Sequence, residues 1–339
     1  MEKIKKLVPG TLVCVGLALI SHLIAYFLPT VGAATFAIFL GILAGNTVFK
    51  SDFYLPGSKF SETELLACSI VLMGASLNLS DVMSVGVNGL LFILLQMALT
   101  ITAAYFIGRK LGFGKKFSLL MCAGNAVCGS SAIASVAPVV GADSKDKGIS
   151  ITIVNVTGTI MMFLLPLISL WLYQHQTLQT SALIGGTLQS VGQVIASAKF
   201  VNDSVVEMSA IFKIIRIIFL IAVVLVFSRM NHREGEGLFA KAQKEAPEKK
   251  SKIKVGIPWF IIGFFILSII HTLHLIPPVV SDAAHWVSGQ FEIIALAAIG
   301  MKVKINDLVR EGPKALLCGG MIGASQIIFA IILIRLLIW

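Results

Sequence analysis

Apolar stretches long enough to cross a lipid bilayer recur along almost the whole sequence. The hydrocarbon core of a bilayer is about 30 Å thick, so a helix needs about 20 mostly apolar residues to span it. The composition agrees, because 57% of the 339 residues are hydrophobic and only 13% are charged, whereas soluble domains average about 25% charged residues. The sequence therefore predicts an all-α polytopic membrane protein and excludes a large soluble domain.

Windows of about 20 residues predict about eleven transmembrane helices. They lie at 8–28, 33–49, 64–80, 88–108, 117–141, 149–173, 182–201, 207–228, 257–275, 290–308 and 315–338. Residues 31–33 resemble a signal-peptide cleavage site, but the first apolar run is longer than the core of a signal peptide, which is about 7 to 15 residues. Residues 1–30 are therefore interpreted as a retained leading helix.

Lysine and arginine are concentrated on one side of the predicted topology. Most of the 27 basic residues fall in the N-terminal segment, in 50–63, in 109–116, in the charged loop 229–256 and in 302–314. The positive-inside rule then predicts a cytoplasmic N-terminus and, with an odd number of spans, an outside C-terminus. The net charge of +10 is thus a topology signal and gives no evidence of nucleic-acid binding.

The spans divide into two sets of five after the leading helix. The first set, 33–173, starts outside and the second, 182–338, starts inside, which is the arrangement of an inverted five-plus-five repeat. Many secondary transporters are built this way, with the substrate held by interrupted helices at the repeat interface. We interpret the whole chain, 1–339, as a single transmembrane transporter domain.

The first candidate site lies at 124–131, inside a predicted span that is rich in small and polar residues. Glycine and serine there break the helix and expose backbone N–H groups at the start of the next half-helix, where an oxyanion binds well. The candidate substrate-binding residues of this segment are Asn125, Cys128, Gly129, Ser130 and Ser131. Close packing of small residues against another helix is the alternative interpretation.

The second candidate site is the polar face of 185–199, with Gln189, Ser190 and Gln193 as candidate substrate-binding residues. Glutamine within a span is costly unless it faces a cavity or bonds to another helix. Both explanations fit these residues equally well.

The third candidate is the pair Lys213 and Arg216, whose spacing of three places both on one helix face. Two cations in an apolar span mark a functional site by default. Snorkelling towards an interface, or pairing with Glu207, are the alternatives.

Acidic residues are missing from the span centres in this interpretation, since Glu292 and the four aspartates 81, 143, 203 and 307 all fall near span ends. This weakens the case for a cation antiporter and favours a site for an anion. The sequence has no catalytic triad, metal cluster or phosphate loop, so neither an enzyme nor a cofactor is expected. The five cysteines (14, 68, 122, 128 and 318) are interpreted as small buried hydrophobes.

Three motifs resemble one known family. The segment 125–134 is similar to its Cys-Gly-small-Ser-Ala-Ile signature, Gln193-Val194 with 213–216 to its Gln-Val…Lys-x-x-Arg pattern, and 299–313 to its C-terminal segment. The family is the YeiH type, bacterial inner-membrane proteins assigned to sulfate export. The resemblance covers most of the chain, from about residue 30 to the end. Where the family typically has a histidine and an acidic residue, this chain has Gln189-Ser190, so a proton role of that pair does not carry over.

The resemblance implies the fold of the sodium–proton antiporter and bile-acid symporter superfamily, in which a core domain with crossed, broken helices moves against a panel domain. It also implies a homodimer and a location in the bacterial plasma membrane. The resulting hypothesis is a secondary transporter that exports sulfate, sulfite or a related anion, with H⁺ or Na⁺ as a possible coupling ion. A cation/proton antiporter or sodium-coupled symporter, and a channel or non-transporting scaffold, are the alternatives.

Overall fold

Helices form all the regular secondary structure in the described part of the computed structural model, which covers residues 2–27, 33–76, 85–230, 258–303 and 313–338. The helices are α1 Glu2–Phe27, α2 Ala33–Asn46, α3 Leu55–Phe60, α4 Leu66–Met73, α5 Gly86–Lys110, α6 Lys115–Ala126, α7 Ser130–Val140, α8 Ser144–Tyr173, α9 Thr177–Thr187, α10 Val191–Lys199, α11 Asp203–Ile218, α12 Leu220–Ser228, α13 Trp259–Thr272, α14 Pro278–Lys302 and α15 Pro313–Leu337. A π-helical turn, Ser61–Leu65, joins α3 to α4.

Five helical segments are long and apolar enough to cross a membrane, and shorter apolar helices accompany them. The five are Lys6–Phe27, Gly86–Lys110, Ser144–Tyr173, Asp203–Ser228 and Pro313–Leu337. Large apolar side chains cover their outer faces, as at Trp171, which is 86% exposed. Lipid is the solvent that suits such a surface, so the prediction of an all-helical membrane protein is confirmed. The count of eleven spans and the inverted repeat stay predictions.

Two compact units divide the chain, and each is assembled from separate stretches of sequence. Unit 1 contains Met1–Val85, Gly192–Ala210 and Pro258–Asn306, and unit 2 contains Gly86–Val191, Ile211–Ile257 and Asp307–Trp339. The repeat boundaries 33–173 and 182–338 remain a prediction. Most of the predicted charged loop, residues 231–256, lies outside the described residues.

In unit 1, close backbone contact joins α2 to α14. A Cβ atom added at Gly41 would stand 2.3 Å from the carbonyl oxygen of Ala297, and one added at Gly300 would stand 2.3 Å from that of Ile38. Only glycine allows such an approach, which is how membrane helices gain van der Waals contact without a hydrophobic driving force. The helix α14 also packs against α4, and α1 packs against α2 and α3.

Unit 2 contains the first interrupted helix and the first half of the second, while α10 belongs to unit 1 from Gly192 onward. In this unit α6 packs against α5, α7 and α8, and α15 packs against α5, α8 and α9. The predicted span 117–141 is split into α6 and α7, with residues 127–129 between them. The predicted span 182–201 is likewise split into α9 and α10, with residues 188–190 between them.

The predicted span 290–308 needs a correction. The observed helix α14 begins at Pro278, well before residue 290, and ends at Lys302. A hydropathy window misses its first half because Asp282, His285 and other polar residues lower the mean there. Residues 304–312 lie outside the described part of the chain.

Candidate functional site

The helix break at 127–129 forms the centre of the candidate site. Gly129 has φ 69° and ψ −126°, a conformation that residues with a Cβ rarely adopt. Its N–H donates to the carbonyl of Gly124 at 2.9 Å, so the chain reverses tightly before α7 begins at Ser130. The last carbonyls of α6 are then left without helical N–H partners, as at every helix end.

Arg216 supplies partners to those carbonyls from α11. It is 1% exposed, and its guanidinium donates to Asn125 O at 2.8 Å and to Ala126 O at 3.0 and 3.2 Å. The same group donates to Gly185 O at 3.1 Å and Leu188 O at 2.9 Å. Because arginine has five N–H donors, these five hydrogen bonds use all of them.

Lys213 lies one turn earlier on α11 and is fully buried. Its ammonium donates to Val127 O and, at 2.9 Å, to Leu188 O. The two cations therefore share one helix face and connect the ends of α6 and α9. An ammonium has three donors, and two of them bind acceptors among the described residues, so one N–H of Lys213 remains for a further acceptor.

The charges at this position do not balance. In the described chain neither cation forms an ion pair with a carboxylate. The ends of α6 and α9 each carry about half a negative elementary charge, and the start of α7 carries about half a positive one. When Lys213 is protonated, two full positive charges exceed the partial charges that face them, and the surplus is positive.

Four amide side chains form a buried network beside the cations. Gln189 Nε2 donates to Asn125 Oδ1 at 3.2 Å and to Gln326 Oε1 at 3.1 Å. Gln326 Nε2 donates to Asn125 O at 2.9 Å, and Gln96 Nε2 donates to Gln326 O at 2.8 Å. The Oε1 atom of Gln189 is buried and accepts no hydrogen bond from the described part of the chain. Sequence reasoning missed Gln96 and Gln326, although a single glutamine within an apolar span was the available signal.

The remaining predicted residues lie at the edges of the two breaks. Cys128 is buried, Ser130 is half-buried and Ser131 is exposed at the start of α7. Ser190 is half-buried in the second break. Gln193 is buried in α10 and belongs to unit 1. The structure thus brings Asn125, the first break, Gln189, Lys213 and Arg216 together in unit 2.

Comparison with known proteins gives the family. The profile of the family described as Conserved hypothetical protein 698 matches residues 9–319. A UPF0324 membrane protein of Clostridium perfringens is 58% identical over 338 residues, which cover 100% of this chain and 98% of the relative. The chain belongs to the UPF0324 family.

Other UPF0324 membrane proteins are similar over the same length. One from Lactiplantibacillus plantarum is 44% identical, with 99% of each chain covered. Another from Lactococcus lactis is 42% identical, covering 98% of this chain and 99% of the relative. The resemblance to the YeiH-type family is confirmed, and the chain is a multi-pass membrane protein.

One sequence-based expectation is wrong. Glu292 was placed near a span end, but it lies near the middle of α14 and is only 3% exposed. Unit 1 therefore contains a buried carboxylate, and the argument against cation coupling loses part of its basis.

Proposed function

We propose that this protein is a secondary active transporter of a small anion, which exports sulfate, sulfite or a related sulfur oxyanion by alternating access. The observation that carries the proposal is the buried pair Lys213 and Arg216. Both bind only backbone carbonyls at two adjacent helix breaks in the described structure. Interrupted helices of this kind are the best pointer to the binding site of a secondary transporter.

The surplus positive charge favours an anion as the ligand. A buried charge without a counter-charge costs several kcal/mol, and a bound oxyanion would remove that cost reversibly. Non-helical backbone at membrane depth is tolerated where it is buried in protein or lines a water-filled cavity. A cavity that admits an anion beside the break would meet both requirements.

The roles of the two cations differ in this proposal. Arg216 stabilises the breaks and contributes charge from a distance, because all of its donors are occupied by carbonyls. Lys213 has a donor left and contacts the anion. The N–H groups at the start of α7, with the side chains of Ser130 and Ser131, supply further donors, and Asn125 with Gln189 orients the site.

Counterflow of labelled sulfate in proteoliposomes tests the proposal, with sulfite, taurine, bicarbonate, citrate and chloride as competitors. Lys213→Gln keeps an amide donor but removes the charge, so we expect exchange to fall by at least about tenfold, which corresponds to about 1.4 kcal/mol. Lys116→Gln is the matched control, since exposed Lys116 also donates to a helix-end carbonyl, Gly141 O at 2.7 Å. Equal exchange in the two variants would contradict a role for the charge of Lys213 in binding the anion.

A different result would change the class of protein. If no anion exchanges in the wild type and an ionic conductance is measured instead, the channel alternative replaces the transporter. If sodium or pH alone drives a response without anion exchange, the cation antiporter alternative replaces it.

A further inference from the structure

A second polar cluster, in unit 1, surrounds Glu292. It involves none of the residues assigned to the anion, although Lys199 ends α10, the helix that follows the second break. Its side chains line a cavity of about 170 Å³. A cavity needs only about 10 to 15 Å³ to hold a water molecule, so this one has room for several.

Glu292 is the buried member of the cluster. Its Oε1 atom lies 3.4 Å from Lys199 Nζ, yet it accepts no hydrogen bond from any residue that the structure describes. Lys199 instead donates to Asp203 Oδ1 at 2.6 Å, and the side chain of Asp203 is 69% exposed. One ammonium therefore stands between an exposed and a buried carboxylate, and the buried one has an unfilled acceptor that borders the cavity.

The other charged and titratable groups around Glu292 are few. Among the described residues that line the cavity they are Lys199, Asp203, Glu207 and His285. Of the elements that pack against α14, α2 and α4 contribute no charged side chain. The π-helical turn, α3 and α1 also pack against α14, and their described acidic, basic and histidine side chains do not line the cavity: Glu62, Glu64, Lys59, Lys6 and His22. Glu292 is the buried carboxylate of the cluster, and the ammonium of Lys199 beside it is shared with Asp203. A proton on Glu292 would therefore remove a buried negative charge that Lys199 compensates only in part.

A proton fits this place better than a metal ion. Hard cations such as Ca²⁺ and Mg²⁺ take about six or more oxygen ligands, and an ammonium beside the carboxylate repels any metal cation. No group of three metal-ligating side chains is found in the part of the chain that the structure describes. A proton needs only the free Oε1 atom and a water path to it.

We propose that Glu292 is the proton-binding group of this protein, loaded and unloaded through the cavity, with Lys199 as the internal cation that replaces the proton. On loading, a hydronium ion in the cavity gives one proton to Oε1 and an O–H bond forms, while Lys199 stays charged and bonds to Asp203. On unloading, the proton returns to cavity water and Lys199 moves towards the carboxylate. The coupling of this proton to an anion rests on the proposed function.

Infrared difference spectroscopy of the purified protein, recorded between acidic and alkaline pH, tests the site without any substrate. The wild type is expected to show the C=O band of a protonated carboxyl group, and Glu292→Gln to lose it. Glu64→Gln, which changes an exposed glutamate of the same unit, is the control and is expected to keep the band. An unchanged band in Glu292→Gln overturns the proposal.

Lys199→Gln gives an independent measurement if the glutamate variant does not fold. Removing a charge about 3.4 Å away is expected to raise the midpoint pH of the band by about one unit or more. An unmoved midpoint overturns the role of Lys199. If the carboxylate bands respond to sodium and not to pH, Glu292 binds a metal ion, and the proposal that it binds a proton is overturned.

Transport separates this inference from the proposed function. We expect Glu292→Gln to keep sulfate counterflow and to lose accumulation driven by a pH gradient. Equal gradient-driven accumulation in wild type and Glu292→Gln overturns the coupling. Absence of counterflow in the wild type contradicts the proposed function alone, because the infrared band still decides whether Glu292 binds a proton.

Discussion

At the scale of single residues, the site depends on the difference between arginine and lysine. Arg216 has a planar fork that reaches four carbonyl groups at once, whereas Lys213 presents one compact ammonium to two of them. The spacing of the two cations predicted a shared face, and the structure agrees. Their partners could not be predicted, because backbone carbonyls exist at every residue and only the fold selects which are exposed at a helix end.

Arg216→Lys is therefore expected to destabilise the protein although the charge is kept. A lysine cannot supply five donors in a fork, and each buried carbonyl left without a partner costs about 1 to 3 kcal/mol. The thermal unfolding midpoint of the purified protein in detergent measures the loss. Arg335→Lys, at an exposed position of α15, is the control, and equal midpoints in the two variants would contradict the role of the fork.

At the scale of elements, the sequence predicted the first break well and the second only in part. Glycine and serine at 124–131 indicated an interruption, and the structure confines it to 127–129. In the second segment, Gly186 remains helical and makes room for a ring, since a Cβ there would lie 2.5 Å from Phe92. The break follows at 188–190 instead, so composition located the polar segment but packing chose where its helix ends.

Gly129→Ala is expected to strain the first break. A positive φ with this ψ costs a residue with a Cβ about 1 to 3 kcal/mol, and the distorted turn would also lower anion counterflow. Gly148→Ala is the matched control, because a Cβ there meets no atom within 4 Å and alanine favours the helix. A lower thermal midpoint in Gly129→Ala only is the expected result. Equal midpoints would show that the break tolerates a side chain.

At the scale of the whole molecule, hydropathy predicted the class of protein and missed its division into units. A hydropathy window evaluates each predicted span separately, whereas the two units combine stretches from distant parts of the sequence. The same limitation misplaced Glu292, because the polar first half of α14 lowers the mean of the window. Burial is a property of the packed bundle, so it could not be predicted from one helix at a time.

The orientation of the molecule can be tested with cysteine labelling. The excess of lysine and arginine in 109–116 predicts that this segment faces the cytoplasm, and Lys145 should then lie outside. In intact cells, a maleimide that does not cross the membrane is expected to label Lys145→Cys and to spare Lys110→Cys. Labelling of the second variant should appear after the membrane is permeabilised. The reverse pattern would invert the topology.

The attachment of both breaks to α11 has a mechanical consequence. Lys213 and Arg216, one turn apart, bind the ends of α6 and α9. The two ends can therefore separate only if Arg216 loses some of its carbonyl acceptors. Both ends are expected to move together with the part of α11 that carries the two cations.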